Sequence, residues 1–254
     1  MNTEKYFQRI GIVNSEIPVT LESLRYLQKQ HLLNVPFENL DIHWKRPIVL
    51  DIGNFYKKIV EEKRGGFCYE LNGLFNELLR KTGFQTRLIS ARVSDGKGGF
   101  SDEYDHLAIL VMIGELEYLA DVGFGDSSAA PLRLVADLEQ PDETGMFVIK
   151  RSDDGYLEVV KKDGKKGQSE YIFQPFGRDL SEFAEMCNFH QTSPESHFTK
   201  GKVCSVLLEN GRKTLTDKKF IETKNGQKSE TEIHSEAEFD AHLAREFQIK
   251  KSFL

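Results

Sequence analysis

The apolar side chains of this chain change their spacing at Gln85, and that change limits the fold more than any other feature. Upstream, in "RGGFCYELNGLFNELLRKTG" (64–83), Leu71, Leu74, Phe75, Leu78 and Leu79 recur at i, i+3, i+4, i+7 and i+8. A helix that buries one face requires that spacing. Downstream, "QTRLISARV" alternates, and "HLAILVMI" and "LEYLAD" follow with Gly114 and Glu115 between them. Period two belongs to strands, and strands joined by tight turns belong to an antiparallel sheet or barrel. Both periods in separate stretches make the chain α+β and multidomain.

The helical stretch carries its own punctuation. "TLESLRYLQKQHLLNV" sets Leu21, Leu24, Leu27 and Leu32 or Leu33 on one stripe. Thr20 is the expected N-cap and Glu22 the first-turn acid, with Ser23 where a capping box would need Glu or Gln. Pro36 stops the pattern. "PIVLDIGNFYKKIVEEKRGG" reads as a short extended piece and then a helix capped by Asp51 or Asn54, with Phe55, Ile59 and Val60 inward. Gly83 is the expected C′ residue of the helix that starts at or just after Cys68. After Ile113, "MFVIKRSDDGYLEVVKKDG" and "YIFQPFG" read as strands, and "DLSEFAEMCNFHQTS" as an amphipathic helix. "KVCSVLLENGRKTLTDKKFIETK" reads as strands around an Asn210–Gly211 turn. "SEAEFDAHLAREFQI" is a final helix capped by Ser235. The period change near 84 and the Ser193–Pro194 break divide the chain into 1–84, 85–195 and 196–254.

Composition excludes several classes. With 254 residues, 39% apolar and 29% charged, the chain can bury a large core and is not a disordered one. A net charge of −6 leaves no basic excess to neutralise phosphates, so no nucleic-acid partner is expected. No apolar run approaches the roughly 20 residues of a membrane span, so no membrane partner is expected. The start "MNTEKYFQRIGI" has no signal pattern, which gives a cytoplasmic expectation. Three cysteines, Cys68, Cys187 and Cys204, form too sparse and odd a set for a disulfide framework. No Cys-x-x-Cys or paired-His spacing suggests a metal. The run "KKDGKK" reads as a solvated turn.

Cys68 is the first candidate for chemistry. Free cysteine is usually a small buried hydrophobe, and Cys187 and Cys204 read that way. Cys68, however, follows Gly65 and Gly66, which allow close backbone approach, and it opens a helix, whose N-terminus favours a thiolate. A thiolate nucleophile needs a base and a group that orients the base. His106 opens an otherwise apolar strand, and Asp121 ends the return strand. With Gly114–Glu115 as a two-residue turn, Ile113 faces Leu116, and Gly at the first turn position suits type II′. Counting outward pairs Ala108 with Asp121 and His106 with Gly123. His106 and Asp121 then project from one face as diagonal neighbours, roughly 7–8 Å apart at the backbone and within reach of a carboxylate–imidazole bond. A register slip of one residue would put them on opposite faces.

"RGGFCYELN", "HLAILV", "YLADVGFGD" and "VPFENLDIH" together resemble the arylamine N-acetyltransferase family. "YFQRIGI", "LESLRYLQKQHLLNVPFENL", "NFHQTSPESHFTK" and "ENGRKTLTDKKF" follow the family's order, so the resemblance spans nearly the whole chain. It implies a catalytic triad of Cys68, His106 and Asp121. It also implies an N-terminal helical bundle (1–84) carrying the nucleophile, a central antiparallel β-barrel (85–195) carrying His and Asp, and a C-terminal α/β lid (196–254), around a papain-like Cys-His-Asp core.

The implied reaction is a double displacement with acetyl-CoA as co-substrate and no metal. Cys68 would take the acetyl group and release CoA, and an arylamine or hydrazine acceptor would then attack the acetyl-cysteine. A role in xenobiotic metabolism goes with the resemblance. Phe37, Phe124 and Phe198 would wall an acceptor pocket, although core packing would also explain them, and Gly125 would leave room for the pantetheine arm or acceptor. Arg64 and Glu38 would form a buried pair. Two other readings compete. A papain-like or transglutaminase-like cysteine enzyme, a hydrolase or an amide-forming acyltransferase of biosynthesis, would share the triad, but "PFENLD" and "DVGFGD" weigh against it. A non-catalytic binding protein would have no need for an intact triad.

Overall fold

The computed structural model describes residues 1–13, 16–152, 154–163 and 166–251. The first third is helical: α1 (Thr3–Arg9), α2 (Leu21–Asn34), the short α3 (Leu40–His43), α4 (Ile52–Tyr56) and α5 (Cys68–Lys81). Thr20 caps α2 by accepting the Ser23 N–H, and Asp51 caps α4 by accepting that of Asn54. A turn of π-helix, Lys57–Glu61, extends α4 and turns Lys58, Ile59 and Val60 inward. Leu71, Leu74, Phe75, Leu78 and Leu79 of α5 are all fully buried. Gly83, at φ +94°, follows the C-cap Thr82 as expected. The close backbone approach expected at the glycine pair is to the protein itself, since a Cβ on Gly65 would lie 1.9 Å from the Pro36 carbonyl oxygen.

Among the described residues, strands form two sheets. The larger has eight, in the order β5-β4-β3-β2-β9-β8-β7-β6. These are β2 (Gln85–Val93), β3 (His106–Ile113), β4 (Leu116–Ala120), β5 (Leu132–Arg133), β6 (Gln140–Asp142), β7 (Gly145–Arg151), β8 (Leu157–Asp163) and β9 (Lys166–Phe173). The sheet curls into a nearly closed antiparallel barrel. Its two end strands meet through side chains: Gln140 accepts the Arg133 N–H at 2.7 Å and donates to the Arg133 carbonyl at 3.0 Å. Ala108, Leu110, Leu119, Phe147, Val159 and Tyr171 fill the interior. The outer face of β3, with Leu107, Ile109 and Val111, packs in the core shared with α5. Burial on both faces explains why β3 is apolar throughout instead of alternating. The turn expected in "KKDGKK" is centred on residues 164 and 165, outside the described residues.

The smaller sheet has five strands, in the order β1-β10-β11-β12-β13. Its strands are β1 (Phe37–Glu38), β10 (Val203–Leu208), β11 (Gly211–Thr216), β12 (Lys219–Lys224) and β13 (Gln227–Glu232). α8 (Glu236–Phe247), capped by Ser235, packs on it through Phe239 and Leu243. The turn expected at Asn210–Gly211 is shifted by one residue. Leu208 pairs with Gly211, so Glu209 and Asn210 make the turn. Gly211 belongs to the strand, where a Cβ would lie 1.8 Å from the Thr223 carbonyl oxygen of β12. The Asn-Gly that does turn is Asn225–Gly226, both at positive φ, between the paired Lys224 and Gln227. A single turn of 3₁₀-helix (Leu180–Phe183), α6 (Ala184–Thr192) and α7 (His197–Lys200) connect barrel to sheet, and Phe183 and Cys187 pack into the core around α5.

Candidate active site

Two elements deliver the candidate residues. The apolar stripe of α5 anchors that helix, and Cys68 is its first residue, 3% exposed. The β3–β4 hairpin has the expected register: Ile113 faces Leu116 and Ile109 faces Ala120. His106 and Asp121 therefore share the parity of Ala108, Leu110 and Leu119, the side chains of the barrel interior. They meet with His106 Nε2 2.7 Å from Asp121 Oδ2. A carboxylate accepts only, so Nε2 carries the proton and Nδ1 keeps its lone pair. Gly123 crosses over Cys68 so closely that a Cβ there would lie 2.8 Å from Cys68 Cα.

Further groups fix the aspartate. Its Oδ1 accepts from Asn72 Nδ2 at 2.8 Å, Gly123 N at 2.8 Å and Phe124 N at 3.1 Å. Its Oδ2 also accepts the Tyr171 hydroxyl at 3.1 Å. Asn72 in addition donates to the Leu107 carbonyl at 2.6 Å and accepts the Val122 N–H at 2.9 Å. It thus ties α5 to both strands of the hairpin. Sequence reading missed Asn72 and Tyr171. Asn72 had a signal, being one helical turn after Cys68 on the same face, whereas Tyr171 had none nearby.

Electrostatics separate the members of the site. Burial works to raise the Asp121 carboxyl, but His106, Asn72 and the Gly123 N–H outweigh it and hold it below the ordinary range. Burial pushes the Cys68 thiol well up; the Leu107 backbone opposes this, and the charges of Asp105 and Asp121 add to it. The helix start, expected to favour a thiolate, is outweighed by desolvation. A thiolate here requires a cation formed beside it, which His106 would become on taking the thiol proton. Cys187 and Cys204 are buried, with no exposed face for chemistry.

The aromatic candidates gather around this centre. Phe124 packs against His106 at 5.2 Å and Tyr171 at 5.1 Å between ring centroids. Phe198 lies 6.1 Å from Phe37 and 5.9 Å from Phe67, the residue before Cys68. Asn39 and His43 both hold the Phe198 carbonyl at 3.0 Å. Phe37 and Gly125 line a cleft of about 640 Å³ between the barrel and the smaller sheet, whose walls include Ser205 and Arg212 but not Cys68.

Beneath the opposite side of α5 lies a buried ionic cluster. Arg64 binds Glu38 at 2.6 Å and Asp41 at 2.5 Å. Lys58 binds Asp41 at 2.8 Å and Glu70 at 2.9 Å. Glu70 also accepts the Phe67 N–H at 3.1 Å, half of a capping box at the helix start. The expected Arg64–Glu38 pair is thus part of a five-residue cluster. Among the described residues, no three His, Cys, Asp or Glu side chains converge as a metal site, and no helix is long and apolar enough to cross a membrane.

A helix-borne thiol and an imidazole–carboxylate pair on a barrel hairpin, tied together through Asn72, define an α+β protein with a cysteine-centred candidate site. Residues 20–252 match the sequence profile of the N-acetyltransferase family. The arylamine N-acetyltransferase of Escherichia coli K12 is 35% identical over 225 residues, covering 87% of this chain and 79% of its own. The solved arylamine N-acetyltransferase of Salmonella typhimurium superposes with a TM-score of 0.90 at 30% identity, covering 96% and 90% of the two chains. That of Mycobacterium marinum, solved in complex with CoA, gives 0.89 at 26%, covering 98% and 93%. The chain belongs to the arylamine N-acetyltransferase family of acetyltransferase enzymes.

Proposed function

We propose that this protein transfers an acetyl group from acetyl-CoA to an arylamine or arylhydrazine through an acetyl-Cys68 intermediate, with Cys68, His106 and Asp121 as the catalytic triad. The observation that carries the reading is the 2.7 Å His106–Asp121 bond. It commits Nε2 to the carboxylate and leaves Nδ1 as the ring nitrogen that serves the thiol. His106 takes the Cys68 proton, and the thiolate attacks the acetyl carbonyl carbon. The carbon–sulfur bond to CoA breaks, and the departing sulfur takes the proton from His106. A neutral amine then attacks the new thioester and gives a proton to His106, which returns it to the Cys68 sulfur as the amide leaves. Asp121 stabilises the imidazolium in both halves. Cys68 occupies the first helical position, where the backbone N–H lacks an intrahelical acceptor and can face the developing oxyanion.

Phe37, Phe124 and Phe198 wall the acceptor side, and Gly125 borders the cleft that would take the pantetheine arm. Arg212 in the same cleft offers the cation that CoA phosphates require. The division into a helical unit (1–84), a barrel unit (85–195) and a lid (196–254) is part of this reading. Three apolar clusters support it, although Leu40 packs with the third and α6 with the first. Three free thiols suit a reducing cytoplasm, where xenobiotic arylamines would be acceptors. The test is intact mass after mixing with acetyl-CoA alone. One added acetyl group is expected, absent in Cys68→Ser and removed by an arylamine. No adduct, or continuous CoA release without amine, rules the reading out.

A further inference from the structure

A second buried acid–imidazole pair lies beside the one that orients His106. His190, on α6, is 1% exposed. Its Nε2 lies 3.1 Å from Asp105 Oδ1, outside the geometry of a linear N–H···O bond. Its Nδ1 lies 3.1 Å from Ser196 Oγ, which accepts the Phe198 N–H at 3.2 Å. The ring rests on Phe198 at 5.0 Å and on Tyr69 at 6.1 Å between centroids. Ser196 is itself buried and already caps α7, so the trio is no exposed nucleophile site.

What the pair adjoins is the nucleophile. Asp105 immediately precedes His106. Tyr69, next to Cys68, donates its hydroxyl to the carbonyl of Tyr104 at 2.7 Å and sits 3.2 Å from that of Asp105. These bonds fix the start of β3 against the start of α5, and the Asp105 carboxylate with it. Acetyl transfer as written above does not use that carboxylate. A negative charge there opposes a thiolate, because like charges in a water-poor site penalise each other. Burial works to raise the Asp105 carboxyl, while His190 and the Ser101 hydroxyl outweigh it, and His197 also faces it from the exposed side. Asp105 is therefore ionised at neutral pH.

We propose that His190 is a positioning residue for the nucleophile: paired with Asp105, it ties down and balances a second carboxylate beside Cys68, so that the thiolate–imidazolium state of Cys68 and His106 can form. The inference rests on Cys68 being the nucleophile of the proposed function, and it adds to that function a group that touches neither substrate nor thiol. It distinguishes charge from packing, because a ring that only filled space would be replaceable by any other ring.

The test uses His190→Phe, Asp105→Asn and the double variant. The readout is the rate of Cys68 alkylation by iodoacetamide near pH 7, followed on the Cys68 peptide by mass spectrometry. This rate follows the thiolate and needs no acetyl-CoA. His190→Phe keeps the aromatic volume and leaves Asp105 unbalanced, so alkylation should slow about tenfold, the effect of one unit in the thiol pKa. The double variant should recover to within about twofold of wild type, and Asp105→Asn alone should match or exceed wild type. A double variant as slow as His190→Phe, or a His190→Phe as fast as wild type, overturns the proposal. If His190→Phe does not fold, Asp105→Asn decides alone, since it keeps an acceptor for His190 and removes only the charge. Wild-type rate or faster supports the proposal, and a tenfold loss overturns it. A wild-type protein that releases no CoA from acetyl-CoA would sink the acetyl-transfer reading and leave this alkylation result standing separately.

Discussion

The two sides of α5 bury polar groups in opposite ways. On one side, Arg64 and Lys58 face Glu38, Asp41 and Glu70, two cations against three carboxylates with opposite signs at contact. On the other, Asp121 is the charge, and the groups around it are an amide, a phenol, two backbone N–H groups and an imidazole with one nitrogen to spare. The first arrangement has no room for another charge. The second is built to accept one, because a proton arriving at His106 Nδ1 finds Asp121 already in place. In the proposed function, rigidity and reactivity thus lie on opposite faces of one helix, with Glu70 and Cys68 in its first turn.

The largest effects should come from the reactive side and should leave the fold alone. Cys68→Ala is expected to abolish both the acetyl adduct and acetyl transfer, with an unchanged thermal transition. His106→Asn removes the base, and kcat should fall by about 10³-fold or more. If either variant retained near wild-type turnover, the contrast between the two faces would fail at its first point.

The matched side should show the reverse pattern. Arg64→Ala leaves Glu38 and Asp41 with Lys58 alone. Breaking a buried pair typically costs about 3–5 kcal/mol, so the thermal midpoint should drop by many degrees while folded protein still acquires one acetyl group. Arg64→Lys should rescue little, because a single ammonium cannot reach Glu38 and Asp41 as the fork does. Calorimetry of the two variants, with adduct mass as the control, decides the point.

Between these extremes lie Asn72 and Tyr171, whose roles are to hold Asp121. Asn72→Ala removes a bond to a charged group, worth about 1.5–3 kcal/mol, and should lower kcat by about 10- to 100-fold. Tyr171→Phe leaves four donors on the carboxylate and should cost only a few-fold. Equal losses in the two variants would show that Asn72 does no more than Tyr171, despite binding both hairpin strands.

These two residues also mark how far the sequence could be read. Helix caps at Thr20 and Ser235, the choice of Asp51 or Asn54 at α4, the stripe of α5 and the register of the β3–β4 hairpin were all legible, because each depends on residues a few positions apart. The hairpin register brought His106 and Asp121 to one face by counting alone. Tyr171 reaches Asp121 across 50 residues, and Lys58, on a π-turn that no periodicity announces, brings Asp41 and Glu70 into contact with the expected Arg64–Glu38 pair. The one-residue error at Asn210–Gly211 has the same origin, since Gly211 answers to Thr223 on the next strand rather than to its own turn. The burial that pushes the Cys68 thiol up is hidden for a related reason: a helix start is visible in sequence, and the packing over it is not.

The smallest effect on acetyl transfer comes from a buried group in neither network. His31, on α2, is fully buried between Tyr6 and Phe75, and neither ring nitrogen has a hydrogen-bond partner among the described residues. Burial, with the Arg9 charge adding to it, lowers its pKa from 6.5 to about 3. The sign follows from linkage. The unfolded chain protonates His31 below pH 6.5 and the folded chain does not, so its contribution is whole above 6.5 and is lost as pH falls toward about 3. The slope from this one group is at most about 1.4 kcal/mol per pH unit. Asp121 behaves differently: its depressed carboxyl contributes fully above 3.8 and is lost only below it. Glu70, whose carboxyl burial raises, works against both by favouring proton uptake in the folded state. His31→Phe should therefore flatten urea-derived stability between pH 6.5 and 4.5 without changing acetyl transfer, and leave the steeper loss below 3.8 in place. An unchanged slope in that upper window would mean that His31 is protonated in the folded protein, and that this helical core tolerates an unmatched charge.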